Sequence, residues 1–268
     1  MGFQLRKKFS TYTITIFSIN ITGCIVYLFL YFFVVKPTNW IDILTPIASV
    51  IACVTNLCCI VLLAKKRVEN FYFGIIAVIF FIFTSAITTN YGSVILNFYY
   101  LIMNSISINI WKKNMSPKSD EVKPISIKRK TFILILIGSI IASIGITFIL
   151  TIDPVLNFFG NKDYNKTNPV FWLKHSLNSI ALVISIVAML FATFYIRQQW
   201  IMWFISNVST ISLWLVNVIE FTESQNLSML LVSSFTLYTY CFSFVNSIFG
   251  YRNWRKNEAK SQNIVNLN

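Results

Sequence analysis

Apolar positions run in eight long blocks, at about residues 11–35, 41–63, 71–89, 91–111, 131–151, 171–195, 200–219 and 228–250. At 1.5 Å of rise per residue, a block of about 20 residues crosses the roughly 30 Å of bilayer hydrocarbon as a helix. The polar positions inside the blocks keep helical spacing. Asn97, Asn104 and Trp111 stand seven apart, as do Asn178 and Ser185, while Thr239, Ser243, Asn246 and Gly250 share one face of the last block. The pattern therefore predicts an all-α polytopic membrane protein with eight transmembrane helices, each turning a thin polar stripe towards its neighbours.

The interruptions divide the chain. Residues 1–40 hold a basic tail and an extra N-terminal helix that stops at Lys36-Pro37; 41–111 hold three helices, the first with Pro46 in its opening turn. Residues 112–130 are charged and contain Ser and Pro, as expected of a solvated cytoplasmic linker loop. A fifth helix covers 131–151, an Asn-rich outer loop 152–170, three more helices 171–251 and a tail 252–268. The two triplets repeat. Trp111-Lys112-Lys113-Asn114 recurs as Trp254-Arg255-Lys256-Asn257, and Arg67-Val68-Glu69-Asn70-Phe71 occupies the same place relative to its helices as Arg197-Gln198-Gln199-Trp200. Three helices per unit would invert the second copy, and the linker helix between them restores its direction. The expectation is two parallel three-helix repeats in a 3+1+3 order, an architecture that holds a ligand between its copies.

Charge sets the orientation. The net charge of +13 comes from 22 Lys and Arg, of which all but Lys36, Lys162, Lys166 and Lys174 fall in the N-terminus, the second and fourth loops, Arg197 and the C-terminal tail. The positive-inside rule then predicts a multi-pass cell-membrane protein with both termini in the cytoplasm. With no folded soluble face to carry it, this charge is topology and not a nucleic-acid footprint. The five cysteines all lie in spans and read as packing residues. Ile21-Thr22-Gly23-Cys24 has the form of a lipoprotein cleavage box, but the apolar run continues to Val35, the length of a retained helix. Asn165-Lys166-Thr167 matches a glycosylation sequon in the outer loop.

The candidate chemistry lies in Arg197-Gln198-Gln199-Trp200-Ile201-Met202-Trp203-Phe204-Ile205-Ser206-Asn207, where a charged turn runs into an apolar helix. At 100° per residue, Trp200, Trp203 and Asn207 fall within about 60° of one another. Indoles give flat, cation-attracting surfaces and the amide both donates and accepts, which suits a small planar heteroaromatic ligand with a polar handle. Trp200, nearest the interface, also fits a belt anchor. The remaining inward polar groups, Asn97, Asn104, Asn178 and Asn246 among them, are uncharged. No ionisable side chain stands centrally in any span, which argues against ion coupling, a phosphorylated substrate, a metal or cofactor, and catalysis. His175 and the pair Glu220 and Glu223 read as interfacial or solvated groups at the outer end. The residues alone point to a passive carrier of a small aromatic, hydroxylated compound.

Several segments in order carry a family resemblance: Asn70-Phe71-Tyr72-Phe73-Gly74, Tyr91-Gly92-Ser93 leading to Asn97, Ser185-Ile186-Val187-Ala188-Met189, the W-x-x-W-x-x-x-N run of Trp200, Trp203 and Asn207, and Gly250-Tyr251-Arg252-Asn253-Trp254. Over about residues 41–257 the chain resembles the PnuC vitamin transporters. The resemblance implies facilitated-diffusion uptake of nicotinamide riboside, a precursor of NAD, with metabolic trapping by a cytoplasmic kinase and a homotrimeric assembly. It places Trp200, Trp203 and Asn207 at the substrate, with Asn97 where the family often has Gln. Asn178 replaces a common Asp, Gln198 a Glu, and Ile106-Ser107 a Tyr-Gly pair. Thiamine, riboflavin or a deoxynucleoside are the alternative cargoes, and a non-transporting membrane binding subunit is the alternative role.

Overall fold

A computed structural model describes residues 11–87, 91–116, 121–158 and 166–265, the side chains of 91–92, 157–158 and 256–265 excepted. The basic residues Arg6, Lys7 and Lys8 and the sequon residue Asn165 lie outside the described residues. The helices are α1 (Thr11–Val35), α2 (Trp40–Ala64), α3 (Glu69–Ile87), α4 (Tyr91–Asn114), α5 (Arg129–Leu150), α6 (Asp153–Phe158), α7 (Pro169–Thr193), α8 (Gln199–Glu223) and α9 (Leu227–Val265). Among the described residues eight helices are long and apolar enough to span, which matches the eight blocks. The short α6 is additional and lies in the loop after α5.

Boundary differences have local causes. Asn39 caps α2, its Oδ1 accepting from the Asp42 N–H at 2.8 Å, so the helix starts before the apolar run does. At the other extreme α9 continues well past Tyr251 through the charged tail. Nothing in Arg252 to Val265 is Pro or Gly, so hydropathy marks the exit from the apolar layer without ending the helix.

The packing forms a closed ring: α2 on α3, α3 on α4, α4 on α7, α7 on α8, α8 on α9, and α9 back on α2. Helix α1 lies outside against α2 and α9, and α5 outside against α7. Two turns at the basic end of the ring share one geometry. Lys66 (φ 58°) ends α2 and Tyr195 (φ 44°) ends α7, both left-handed. The next amide reaches back five residues in each, Arg67 N–H to Leu62 O at 3.1 Å and Ile196 N–H to Phe191 O at 2.8 Å, a Schellman closure. This shifts the sequence correspondence by one residue: Arg67 matches Ile196, and Phe71 matches Trp200. Arg67 and Arg197, alike in type, therefore stand one position apart relative to the two turns.

The linker loop, expected to be solvated, is exposed at Lys123, Ser126 and Lys128 but is docked on the basic end at other positions. Val122 is 1% exposed and packs in the core at the basic end. Glu121 forms an ion pair with the nearly buried Lys66 ammonium at 2.8 Å. Ile125 pairs by backbone with the α7–α8 turn, its N–H donating to Tyr195 O at 3.1 Å and its carbonyl accepting from Arg197 N–H at 2.8 Å. The Gln198 amide clasps Ile127, donating to its carbonyl at 2.8 Å. Val122 and Ile127 supply the apolar contacts of this docking, while Ile125, 47% exposed, engages through its backbone. Glu220 is exposed, in keeping with the solvated reading, and pairs with Lys174 at 2.6 Å at the opposite end, while the five cysteines are all free thiols.

Candidate functional site

The core at the basic end is built from tryptophans held by backbone. Trp111, at the end of α4, donates its indole N–H to Ala192 O at 3.0 Å and Thr193 O at 3.1 Å, and Trp254 on α9 donates to Leu63 O at 3.2 Å. Both are fully buried. These indoles add a donor to carbonyls in the last turns of α7 and α2, two of which, Ala192 O and Leu63 O, also accept a backbone N–H of the closing turn.

Trp200 belongs to this layer. Its ring stands edge-on to Trp254, centroids 5.8 Å apart, and lies across Gly250, where a Cβ would approach the ring carbons to 2.5 Å. At 2% exposure it is a packed core residue, which removes the interfacial-anchor alternative. The physical reason is the neighbouring helix: Gly250 leaves room for an indole that a side chain would have displaced outward.

One turn deeper lie the polar groups of the site. Trp203 is half-buried, its ring 6.4 Å from that of Tyr100 on α4. Asn207, a further turn along, is 5% exposed and donates from Nδ2 to Ser247 Oγ on α9 at 3.0 Å. Ser206 and Ser185 join α8 to α7 through a 2.6 Å hydroxyl contact, and the Tyr100 hydroxyl faces Ser185. Four helices thus bring Trp203 and Asn207 together with Tyr100, Ser185 and Ser247. Asn104 is buried on α4 against Gly74 of α3, where a Cβ would lie 2.8 Å from its Oδ1.

The other expected residues stand differently. Asn246 faces away from this cluster: its Nδ2 donates to Ile60 O at 2.9 Å and its Oδ1 accepts from the Tyr12 hydroxyl at 3.4 Å, tying α9 to α2 and α1. Both ends of its amide are engaged in holding helices. Asn97 is half-buried and donates to Ser93 O within its own helix at 2.8 Å, and Asn178 is exposed, two turns from Ser185 on the same face. Tyr100, Ser206 and Ser247 were passed over. Tyr100 had a readable signal, lying three residues after Asn97 and four before Asn104 on that stripe. Ser206 and Ser247 had none, because each matters only through a partner on another helix.

What the site can do chemically follows from its atoms. It offers an indole face, a phenol, hydroxyls and amides within apolar walls, and no group among the described residues that would carry a metal cluster. Apolar recesses of about 590 Å³ along α1 and about 300 Å³ between α2 and α3 are lined by residues such as Phe29 and Phe83 and do not reach it.

The family described as Nicotinamide mononucleotide transporter matches residues 46–256. A Nicotinamide riboside transporter PnuC from Neisseria mucosa is 28% identical over 235 residues, covering 84% of this chain and 75% of that one. Another of the same description, from Haemophilus influenzae, is 22% identical over 225 residues and covers 84% and 83%. The crystal structure of the Vitamin B3 transporter PnuC superposes with a TM-score of 0.55 at 23% identity, over 92% of this chain and 97% of that one, a likeness of fold.

Proposed function

The chain belongs to the nicotinamide mononucleotide transporter family of membrane transporters, and from that premise we propose that it takes up nicotinamide riboside by facilitated diffusion. The observation that carries the cargo is the α8 face, where the Trp203 indole and the Asn207 amide stand side by side among neutral hydrogen-bonding groups. A planar pyridinium suits an indole face and the ribose hydroxyls suit the amide and serines. The choice of riboside over mononucleotide rests on charge. A phosphate would need a buried Lys or Arg at mid-span, and the sequence has none there; Lys174, in the second turn of α7, is paired with Glu220 at the outer end. The same absence supports transport without a coupling ion. The names of the curated relatives point to the riboside as well.

Finer parts of the reading rest on other supports. The loop charges favour the basic end, with the α2–α3 and α7–α8 turns, as cytoplasmic. The paired turns and paired tryptophans favour two parallel repeats, α2 to α4 and α7 to α9, about an axis along the membrane normal. The family resemblance supports a homotrimer and a cytoplasmic kinase that traps the cargo.

Calorimetry on purified protein with nicotinamide riboside, its mononucleotide, thiamine, riboflavin and a deoxynucleoside tests the cargo. The riboside is expected to bind and the mononucleotide not; binding of thiamine without the riboside would overturn the assignment. In proteoliposomes, initial uptake is expected to be indifferent to sodium and to protonophore, and a strong dependence on either would contradict a passive carrier.

A further inference from the structure

Four of the eight buried side-chain polar atoms that lack a hydrogen-bond partner among the described residues are packed into residues 199–203: both amide atoms of Gln199 and the indole nitrogens of Trp200 and Trp203. Gln199 is 0% exposed. An amide buried in a low-dielectric interior with neither its N–H nor its oxygen paired is costly enough that such groups are almost always satisfied by something. Among the described residues no protein group does so. Gln199 and Trp203 are four residues apart and share a face of α8. Side chains on a helix lean towards its N-terminus, so the Trp203 indole leans over the turn that carries Gln199. The orphaned amide is therefore on the same face of α8 as the indole already assigned to the ligand, one turn nearer the basic end.

From this juxtaposition we infer that Gln199 is the specificity-determining residue for a primary carboxamide on the cargo. A carboxamide presents one acceptor and one donor in a plane, the complement of a glutamine side chain. Its NH₂ donates to Gln199 Oε1 while its oxygen accepts from Gln199 Nε2 and from an indole N–H. One group thus satisfies three of the four orphaned atoms. A carboxylate in its place would set its oxygen against Gln199 Oε1, and a ring without the substituent would leave the amide unpaired. Sites built to hydrogen-bond a polar group reject analogues that lack it far more strongly than apolar pockets reject a missing methylene.

The inference rests on the riboside reading, and the experiment separates the two. Calorimetry on the purified full chain compares nicotinamide riboside, nicotinic acid riboside and pyridine riboside, which has no carboxamide, on the wild type and on Gln199→Met. The wild type is expected to prefer nicotinamide riboside over the other two by at least about tenfold. The variant is expected to lose about tenfold or more for nicotinamide riboside and to keep its affinity for pyridine riboside. Retained pyridine riboside binding also reports an intact fold; if Gln199→Met does not fold, Gln199→Asn, whose amide falls one methylene short, makes the same comparison. Equal losses for both ligands, or no change for either, would overturn the inference and leave the riboside reading standing. A wild type that binds thiamine and not the riboside would remove both.

Discussion

The two halves of the ring agree at the basic end and part company one turn deeper. At the end, Phe71 stands edge-on to Trp111 with centroids 4.9 Å apart, as Trp200 does to Trp254 at 5.8 Å. Each of those end tryptophans donates its indole N–H to the last turn of the opposite half, Trp111 to α7 and Trp254 to α2. Counting on from the two left-handed residues, Gly74 then occupies the place in one half that Trp203 holds in the other. One half withdraws its side chain and seats the Asn104 amide against the gap, while the other projects an indole. Packing can be solved twice in the same way, but an asymmetric ligand needs different groups from each side.

That contrast is breakable. Trp111→Ala and Trp254→Ala are each expected to destabilise by about 3–5 kcal/mol, with similar drops in thermal unfolding midpoint, because matched positions lose the same burial and backbone bond. Unequal costs would show that the end layer is matched in form only. Next in size, Gly250→Ala should cost about 1–3 kcal/mol in denaturation, since its methyl meets a rigid buried ring. Gly74→Ala should cost less, because the atom it meets is the tip of a movable amide.

Trp203→Ala is expected to weaken riboside binding by about 1–3 kcal/mol in calorimetry with a modest change in stability. If it instead unfolds the protein as Trp254→Ala does, the deeper turn is packing and the comparison fails. The smallest effect is expected at the linker. Glu121→Gln removes the partner of Lys66, and with Glu121 about one-third exposed the loss should be about 1 kcal/mol and shrink at high salt. Thermal unfolding at two salt concentrations checks this.

Much of this was legible in order along the chain. The eight spans, the stripe of Asn97, Asn104 and Trp111, and the α8 face of Trp203 and Asn207 follow from periodicity and transfer free energy, both local properties. Asn246 shows the limit. Its spacing with Thr239, Ser243 and Gly250 is as regular as that of the α8 face, yet its amide holds α2 and the Tyr12 hydroxyl of α1. Ser247, its neighbour, is the residue that meets Asn207. A one-residue step on a helix turns a side chain by 100°, which decides the partner without changing the composition.

By itself, then, the sequence determined how many times the chain crosses the bilayer, which end is basic, and that the interior is neutral, because each is a sum over neighbouring residues. Tertiary structure alone decided that the linker docks on the basic end, that Trp200 packs against Gly250, and that Gln199 has no hydrogen-bond partner among the described residues. Hydrogen-bond satisfaction and burial are relations between distant segments. Lys66 and Glu121, or Trp111 and Ala192, meet only after the ring closes.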